Sequence, residues 1–419
     1  MSRSPSDEVI VLYTHASRTV RTVLAVQALV APLAIMVVAA PVQADDIGAT
    51  VRSKQWPLVP LGVAEAWQRT RGENVVVAVL DTGVDAGHPD LAGAVTGGTD
   101  LTGTRGEAPR WGRHGTAMAS IIAGRGHGKN HAWGVSGIAP AATILSVRVT
   151  LDNDDPQRRR GRTWNEDALA KGIRYAADHG AEVISMSLGG GSGSWEGAAT
   201  EEKAVRYALD RGSVLVASAG NDGEGPNRRN FPAAYPGVIA VGAVDRGMRV
   251  ASFSNRQEYL SLVAPGVQIV SAAVDGSYVI GDGTSSAAAI VAGVVALIRS
   301  EFPRLTPAQV RRAVERGTTH APEGGHDPDY GHGVVNAARA LEQAARAQRR
   351  PLRAAVPPAV SSVSSASPAS PVLSRDTPVR GTDVSRRIVC SILILLVLAM
   401  AGRSLVRLRR RARKFPTYQ

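Results

Sequence analysis

The chain has 419 residues, 44% of them apolar, enough for a sizeable core with segments left over at both ends. Its one cysteine, Cys390, excludes an intrachain disulfide and a cysteine-based zinc site. Lys and Arg outnumber Asp and Glu by 48 to 36, a net charge of +12, but nine of the positive charges (Arg386, Arg387, Arg403, Arg407, Arg409, Arg410, Arg411, Arg413, Lys414) sit at the C-terminal end with no acidic residue among them. The central region is therefore close to neutral, without the basic footprint of a nucleic-acid-binding protein.

Arg18 and Arg21 precede an apolar run, Val23 to Ala40, which is followed by Pro41-Val42-Gln43-Ala44-Asp45. This is the pattern of a secretory signal peptide over 1–44, cleaved after Ala44. The long leading region with Asp7 and Glu8 leaves a downstream start codon and an uncleaved anchor open. An N-terminal arm, 45–74, follows, with Gln55-Trp56-Pro57-Leu58 and helical spacing in Val63-Ala64-Glu65-Ala66-Trp67.

From 75 to 345 strands and helices alternate. Val75 to Leu80 is a continuous apolar, β-branched run, as expected of a strand buried on both faces, and it ends in Asp81-Thr82-Gly83. His114-Gly115-Thr116 opens a helix of small residues. Ile144–Val149 reads as a strand, Glu166–His179 as a helix, and Val183–Leu188 as a strand running into Gly189. Glu201–Arg211 is a helix, Val214–Ala219 a strand ending in Gly220-Asn221, and Val238–Val244 another strand. The alternation predicts an α/β fold with a mostly parallel sheet and helices on both faces. An acid at the carboxyl end of such a strand lies where these folds build their sites.

Beyond the domain, 346–385 is a Pro/Ser/Ala-rich linker with too little large apolar surface to offset the entropy of ordering it. Residues 386–406 read as one transmembrane helix and 407–419 as a basic cytoplasmic tail, with the heavier Arg/Lys cluster on the inner side. Both ends point to a single-pass cell-membrane protein whose central domain is extracytoplasmic.

Gly283-Thr284-Ser285 runs directly into a small-residue helix, so a serine hydroxyl stands where unpaired backbone N–H groups favour negative charge. Alone, this would read as a serine N-cap on a core helix. With Asp81 and His114 before it, the order Asp, His, Ser appears, each at a strand end or helix start.

From about Trp56 to Leu341 the chain resembles the subtilisin-type (S8) serine proteases. The resemblance rests on Asp81-Thr82-Gly83, His114-Gly115-Thr116, Ser187-Leu188-Gly189, Ala219-Gly220-Asn221 and Gly283-Thr284-Ser285, with Tyr330 to Asn336 closing the domain. It implies the subtilisin-like three-layer fold, Ser285 as nucleophile, His114 as base, Asp81 as its orienting carboxylate and Asn221 as oxyanion donor. It also implies substrate binding along Ser187, Leu188 and Gly189 and against Ala219 and Gly220, with Asn230 and Phe231 near the floor of the first specificity pocket. The substrates implied are proteins and peptides. No cofactor is needed for catalysis, no metal ligand cluster is recognised, and structural calcium stays open.

Signal peptide, peptidase domain, spacer and one C-terminal span together resemble the mycosins, membrane-anchored proteases associated with type VII secretion, whose membrane complex would then be a partner. The short arm after Ala44 fits, being too small for an inhibitory prodomain. Two departures are the lack of disulfides and Ala289, where the wider family usually has proline. The alternatives are a general cell-surface subtilase and a mainly structural partner of a secretion complex. Outside the motifs, Asp90 reads as a solvated or capping residue, His127, His131, His320, His326 and His332 as surface or loop histidines, and Asp152–Arg162 as a solvated loop in which Arg158 to Arg160 offers a nick site.

Overall fold

The computed structural model describes residues 44–104, 112–155, 167–189 and 196–349. The expected signal peptide, transmembrane helix and basic tail, most of the linker, and Arg158 to Arg160 lie outside them. The described chain is built on seven strands: β1 (Val76–Asp81), β2 (Val95–Asp100), β5 (Thr143–Arg148), β6 (Val183–Met186), β7 (Val214–Ser218), β8 (Ile239–Val244) and β9 (Leu262–Pro265). They form one sheet in the order β2-β5-β1-β6-β7-β8-β9, and every pairing is parallel. Four of these strands, β6 to β9, are buried at every position. That is why their sequences read as unbroken apolar runs rather than alternating ones.

The helices take both faces. Successive residues of a strand point to opposite sides. A Cβ placed on Gly172 of α4 (Ala168–Asp178) would pack near the side chain of Leu80, whereas one on Gly115 of α3 (Arg113–Ala123) would stand near Cβ of Asp81. Adjacent residues of β1 thus face helices on opposite faces. Helix α5 (Ala199–Asp210) packs beside α4, and α6 (Thr284–Glu301) packs beside α3. Helix α6 is apolar all round and buried from Ser286 to Arg299, the signature of a core helix. It is long and apolar enough to cross a membrane by length and composition, but 83% of its apolar window is covered by the domain. Alanine at 289 is accommodated, and α6 continues unbroken through it.

The arm begins with α1 (Ala44–Ser53), which packs on the hairpin of β3 (Arg125–His127) and β4 (Trp133–Ser136). Arg52 donates to the carbonyls of Gly134 at 2.8 Å and His131 at 2.9 Å, and the Gln55 amide exchanges two 2.8 Å bonds with the backbone of Ser136. Asp90 departs from the sequence expectation. It is fully buried, pairs with His127 at 2.6 Å and accepts the Val135 N–H at 2.6 Å. It pins the hairpin to the body of the domain, and His127 is its partner rather than a free loop histidine. The reason is tertiary, because a carboxylate this deep is stable only when its oxygens are satisfied by donors from elsewhere in the chain.

Replacing Asp90 by Ala strands the buried Val135 N–H and the ring nitrogen of His127, so the unfolding free energy should fall by about 2–4 kcal/mol. Urea unfolding followed by tryptophan fluorescence measures this. A loss under about 1 kcal/mol would mean that other contacts hold the hairpin.

Candidate active site

The carboxyl ends of the parallel strands bring the predicted residues to one edge. Strand β1 ends at Asp81, β6 runs into Ser187, and β7 runs into Ala219-Gly220-Asn221. Asp81 is fully buried, and its Oδ1 accepts the Thr82 N–H at 2.7 Å. His114 is the second residue of α3, and its Nδ1 lies 2.8 Å and 2.9 Å from the two carboxylate oxygens of Asp81. An ionised carboxylate only accepts, so Nδ1 carries the proton and Nε2 is left with a lone pair. The His114 side chain is 39% exposed while Asp81 is 0% exposed, so the ring bridges the interior and the cleft.

Two glycines permit this approach. Gly112 has φ 79°, and a Cβ there would lie 2.6 Å from the Gly83 carbonyl carbon; a Cβ on Gly115 would overlap the Gly83 oxygen. Thr82 Oγ1 accepts the Gly115 N–H at 3.0 Å, and Thr116 Oγ1 accepts the Asp85 N–H at 2.7 Å. The small and hydroxylated residues flanking Asp81 and His114 therefore stitch strand end to helix start.

Ser285 is the second residue of α6, at the edge of the buried helix, and is half-buried. Its hydroxyl donates to the Ser187 carbonyl at 3.4 Å and makes no hydrogen bond to His114. Such bonds often form only with substrate in place. Asn221 is exposed, and its Oδ1 is occupied by the N–H of Thr284 at 2.9 Å and the Thr284 hydroxyl at 2.8 Å. The amide nitrogen is thereby turned toward Gly283 and is free to donate.

The residues expected along the substrate are locked to one another. The Ser187 hydroxyl donates to the Ser285 carbonyl at 3.0 Å, and the Ser218 hydroxyl donates to the Leu188 carbonyl at 3.1 Å. Gly220 donates to Thr284 Oγ1 at 3.2 Å, and Ala219 to the Val241 carbonyl at 2.9 Å. Gly189 has φ 138° and lies against Asn230, whose amide donates to the Ser218 carbonyl at 3.0 Å. Sequence reasoning missed Asn255. It accepts the Asp222 N–H at 2.7 Å and donates its own backbone N–H to Gly220 at 3.0 Å, bracing the loop that presents Asn221. No local pattern marks it. Asp152 departs from the solvated loop expected of it. It is buried and accepts the N–H groups of Arg113 and His114. Asp155, in the same stretch, lies 3.7 Å from the guanidinium of Arg148.

Burial alone would lower the pKa of His114, but the charge and hydrogen bond of Asp81, with a further contribution from Asp152, outweigh it and raise it above the ordinary 6.5.

Residues 72–333 match the family model described as the subtilase family, Peptidase S8. The chain belongs to the subtilase family. By that membership it is a subtilisin-type serine endopeptidase. It is 38% identical to thermitase of Thermoactinomyces vulgaris over 290 residues, which covers 69% of this chain and 96% of that one. It is 36% identical to fervidolysin of Fervidobacterium pennivorans, a keratinolytic enzyme, covering 71% of this subtilase but only 45% of the relative, so the chain spans about half of fervidolysin's length. The fervidolysin crystal structure superposes with a TM-score of 0.61. MycP1 from Mycobacterium smegmatis superposes with a TM-score of 0.57 at 29% identity, covering 68% of this chain and 84% of that one. A further neighbour is MycP1 from the ESX-1 type VII secretion system, with a TM-score of 0.58 and 29% identity over 68% and 85% of the two chains. The resemblance to mycosins read from the sequence is thus matched by structural neighbours.

Gly115→Ala should separate the two elements that carry His114 and Asp81. The expected result is loss of the downfield imidazole N–H signal of the His–Asp bond in the proton NMR spectrum, with peptidase activity reduced by about 10²-fold. An unchanged signal and rate would mean that the helix start can retreat without moving the ring.

Proposed function

We propose that Asp81, His114 and Ser285 act as the catalytic triad, with Asn221 as oxyanion donor. The observation that carries this reading is the double approach of His114 Nδ1 to the carboxylate of Asp81, at 2.8 and 2.9 Å, which leaves Nε2 basic on the cleft side. The Ser285 hydroxyl turns from the Ser187 carbonyl to His114 Nε2, loses its proton there and attacks the substrate carbonyl. The tetrahedral oxyanion is held by Asn221 Nδ2 and the Ser285 backbone N–H, at the positive end of α6. His114 then hands its proton to the leaving amine, and water attacks the acyl-enzyme by the same route. The imidazolium is stabilised throughout by Asp81. Extended substrate backbone pairs along Ser187 to Gly189, with Ala219 and Gly220 as the facing wall.

The chain works outside the cytoplasm, tethered by the apolar segment 386–406, on exported proteins, in association with a type VII secretion membrane complex. What supports this is the signal-like segment 1–44, the Arg/Lys asymmetry around 386–406 and the likeness to MycP1.

A fluorophosphonate probe should label Ser285 in the unmodified chain and fail to label Ser285→Ala, whose peptidase rate falls to background. Labelling elsewhere, or a fully active variant, would remove Ser285 from the mechanism. In the host, loss of processing with secretion intact in Ser285→Ala would separate proteolysis from any scaffold role, and no change in type VII substrates at all would favour a general surface subtilase. Because His114 must be neutral to accept a proton and its pKa is raised, kcat/KM should rise with pH along an acid limb lying above 6.5. A limb at or below 6.5 in a pH–rate profile contradicts this assignment.

A further inference from the structure

The N–H groups of Arg113, His114 and Gly115 in the first turn of α3 have no intrahelical acceptor, the first intrahelical bond being that of Thr116 to the Gly112 carbonyl at 2.7 Å, and the N-cap, Gly112, has no side chain to supply one. Each of the three is nevertheless satisfied. Gly115 donates to Thr82 Oγ1 at 3.0 Å. The remaining two, Arg113 and His114, donate to Asp152, one to each carboxylate oxygen, at 3.2 and 3.1 Å. Asp152 belongs to the segment after β5, not to the helix, and it is 8% exposed.

We propose that Asp152 is a positioning residue for peptide hydrolysis: its carboxylate clasps the helix start that carries His114, fixing the ring over Asp81, and sets a second buried negative charge beside the imidazolium formed in the transition state. This rests on the reading of His114 as the base. Asp152 caps the helix from outside and does not touch substrate. Its two N–H bonds favour its ionised form, opposing the burial that pushes its own pKa up. Other charges at this corner are engaged elsewhere. Arg113 pairs with Asp154 at 2.9 Å, Arg148 is held by Asp100 at 2.7 Å and Asp155 at 3.7 Å, and the Asp85 carboxylate accepts the N–H groups of Gly87 at 2.9 Å and Asp275 at 3.2 Å. Asp81 and Asp152 are the carboxylates whose charges raise the pKa of the ring.

The test is Asp152→Asn in the full chain, read by kcat and KM on a peptide substrate and by the pH dependence of fluorophosphonate labelling at Ser285. The amide keeps one acceptor for the helix start and removes the charge. The expected result is a kcat lower by about tenfold, KM within about twofold, and an acid limb moved to lower pH than in the unmodified chain, because the lost charge no longer favours the imidazolium. A limb that does not move overturns the proposal, whether kcat is unchanged or falls; a fall without a shift leaves Asp152 a purely structural cap. If the Asn variant does not fold, Asp152→Ser, which also removes the charge and keeps an acceptor, is read in the same way. Failure of the unmodified chain to label at Ser285 overturns the triad reading and this proposal with it, whereas labelling with an unmoved limb overturns this proposal alone.

Discussion

Gly112 and Gly115 let the first turn of α3 rest on the backbone of Gly83, and the site depends on that contact. A hydrogen bond between an imidazole and a buried carboxylate tolerates only a few tenths of an ångström of misplacement. Side chains alone do not fix two elements so tightly. Here backbone meets backbone, with Thr82 and Thr116 bonding across the junction. The His114–Asp81 pair inherits its geometry from this seam rather than creating it.

The serine is fixed by a different device. Helix α6 is buried from Ser286 to Arg299, and its position is set by packing against the sheet and α3. Dense packing of this kind leaves little freedom at the helix start. Thr284 then couples that start to the Asn221 loop through two bonds to one amide oxygen, so the proposed nucleophile and the proposed oxyanion donor move as a unit. Asn255 and Asn230 brace the same loops from behind.

Buried charge is used repeatedly, and in three places it is paired. Asp90 holds the hairpin under α1, Asp81 holds the ring of His114, and Arg148 is surrounded by Asp100, Asp155 and the Thr82 carbonyl. Such pairs add little net stability compared with apolar packing, but breaking one is costly, and that makes them selective for a single arrangement. Arg148 lies beside Asp81 in the sheet register, so one of these pairs stands directly behind the site.

The sequence by itself determined the parallel α/β sheet, because buried strands must be continuous apolar runs and helices must carry one apolar face. It also determined which residues could form the site, because Asp81, His114, Asn221 and Ser285 each stand beside the glycines and hydroxyls that a strand end or helix start requires. Element limits shifted by only a few residues, as for the helix expected at Glu166–His179 and found at Ala168–Asp178. The tertiary structure decided the roles of Asp90, Asp152 and Asn255. Each is a polar residue outside the strands and α-helices, with no periodicity to reveal its partners. An aspartate in a loop looks the same in sequence whether it faces water or is buried among backbone N–H groups from a distant element. Only the folded chain brings those donors to it, and only their presence makes burying the charge favourable.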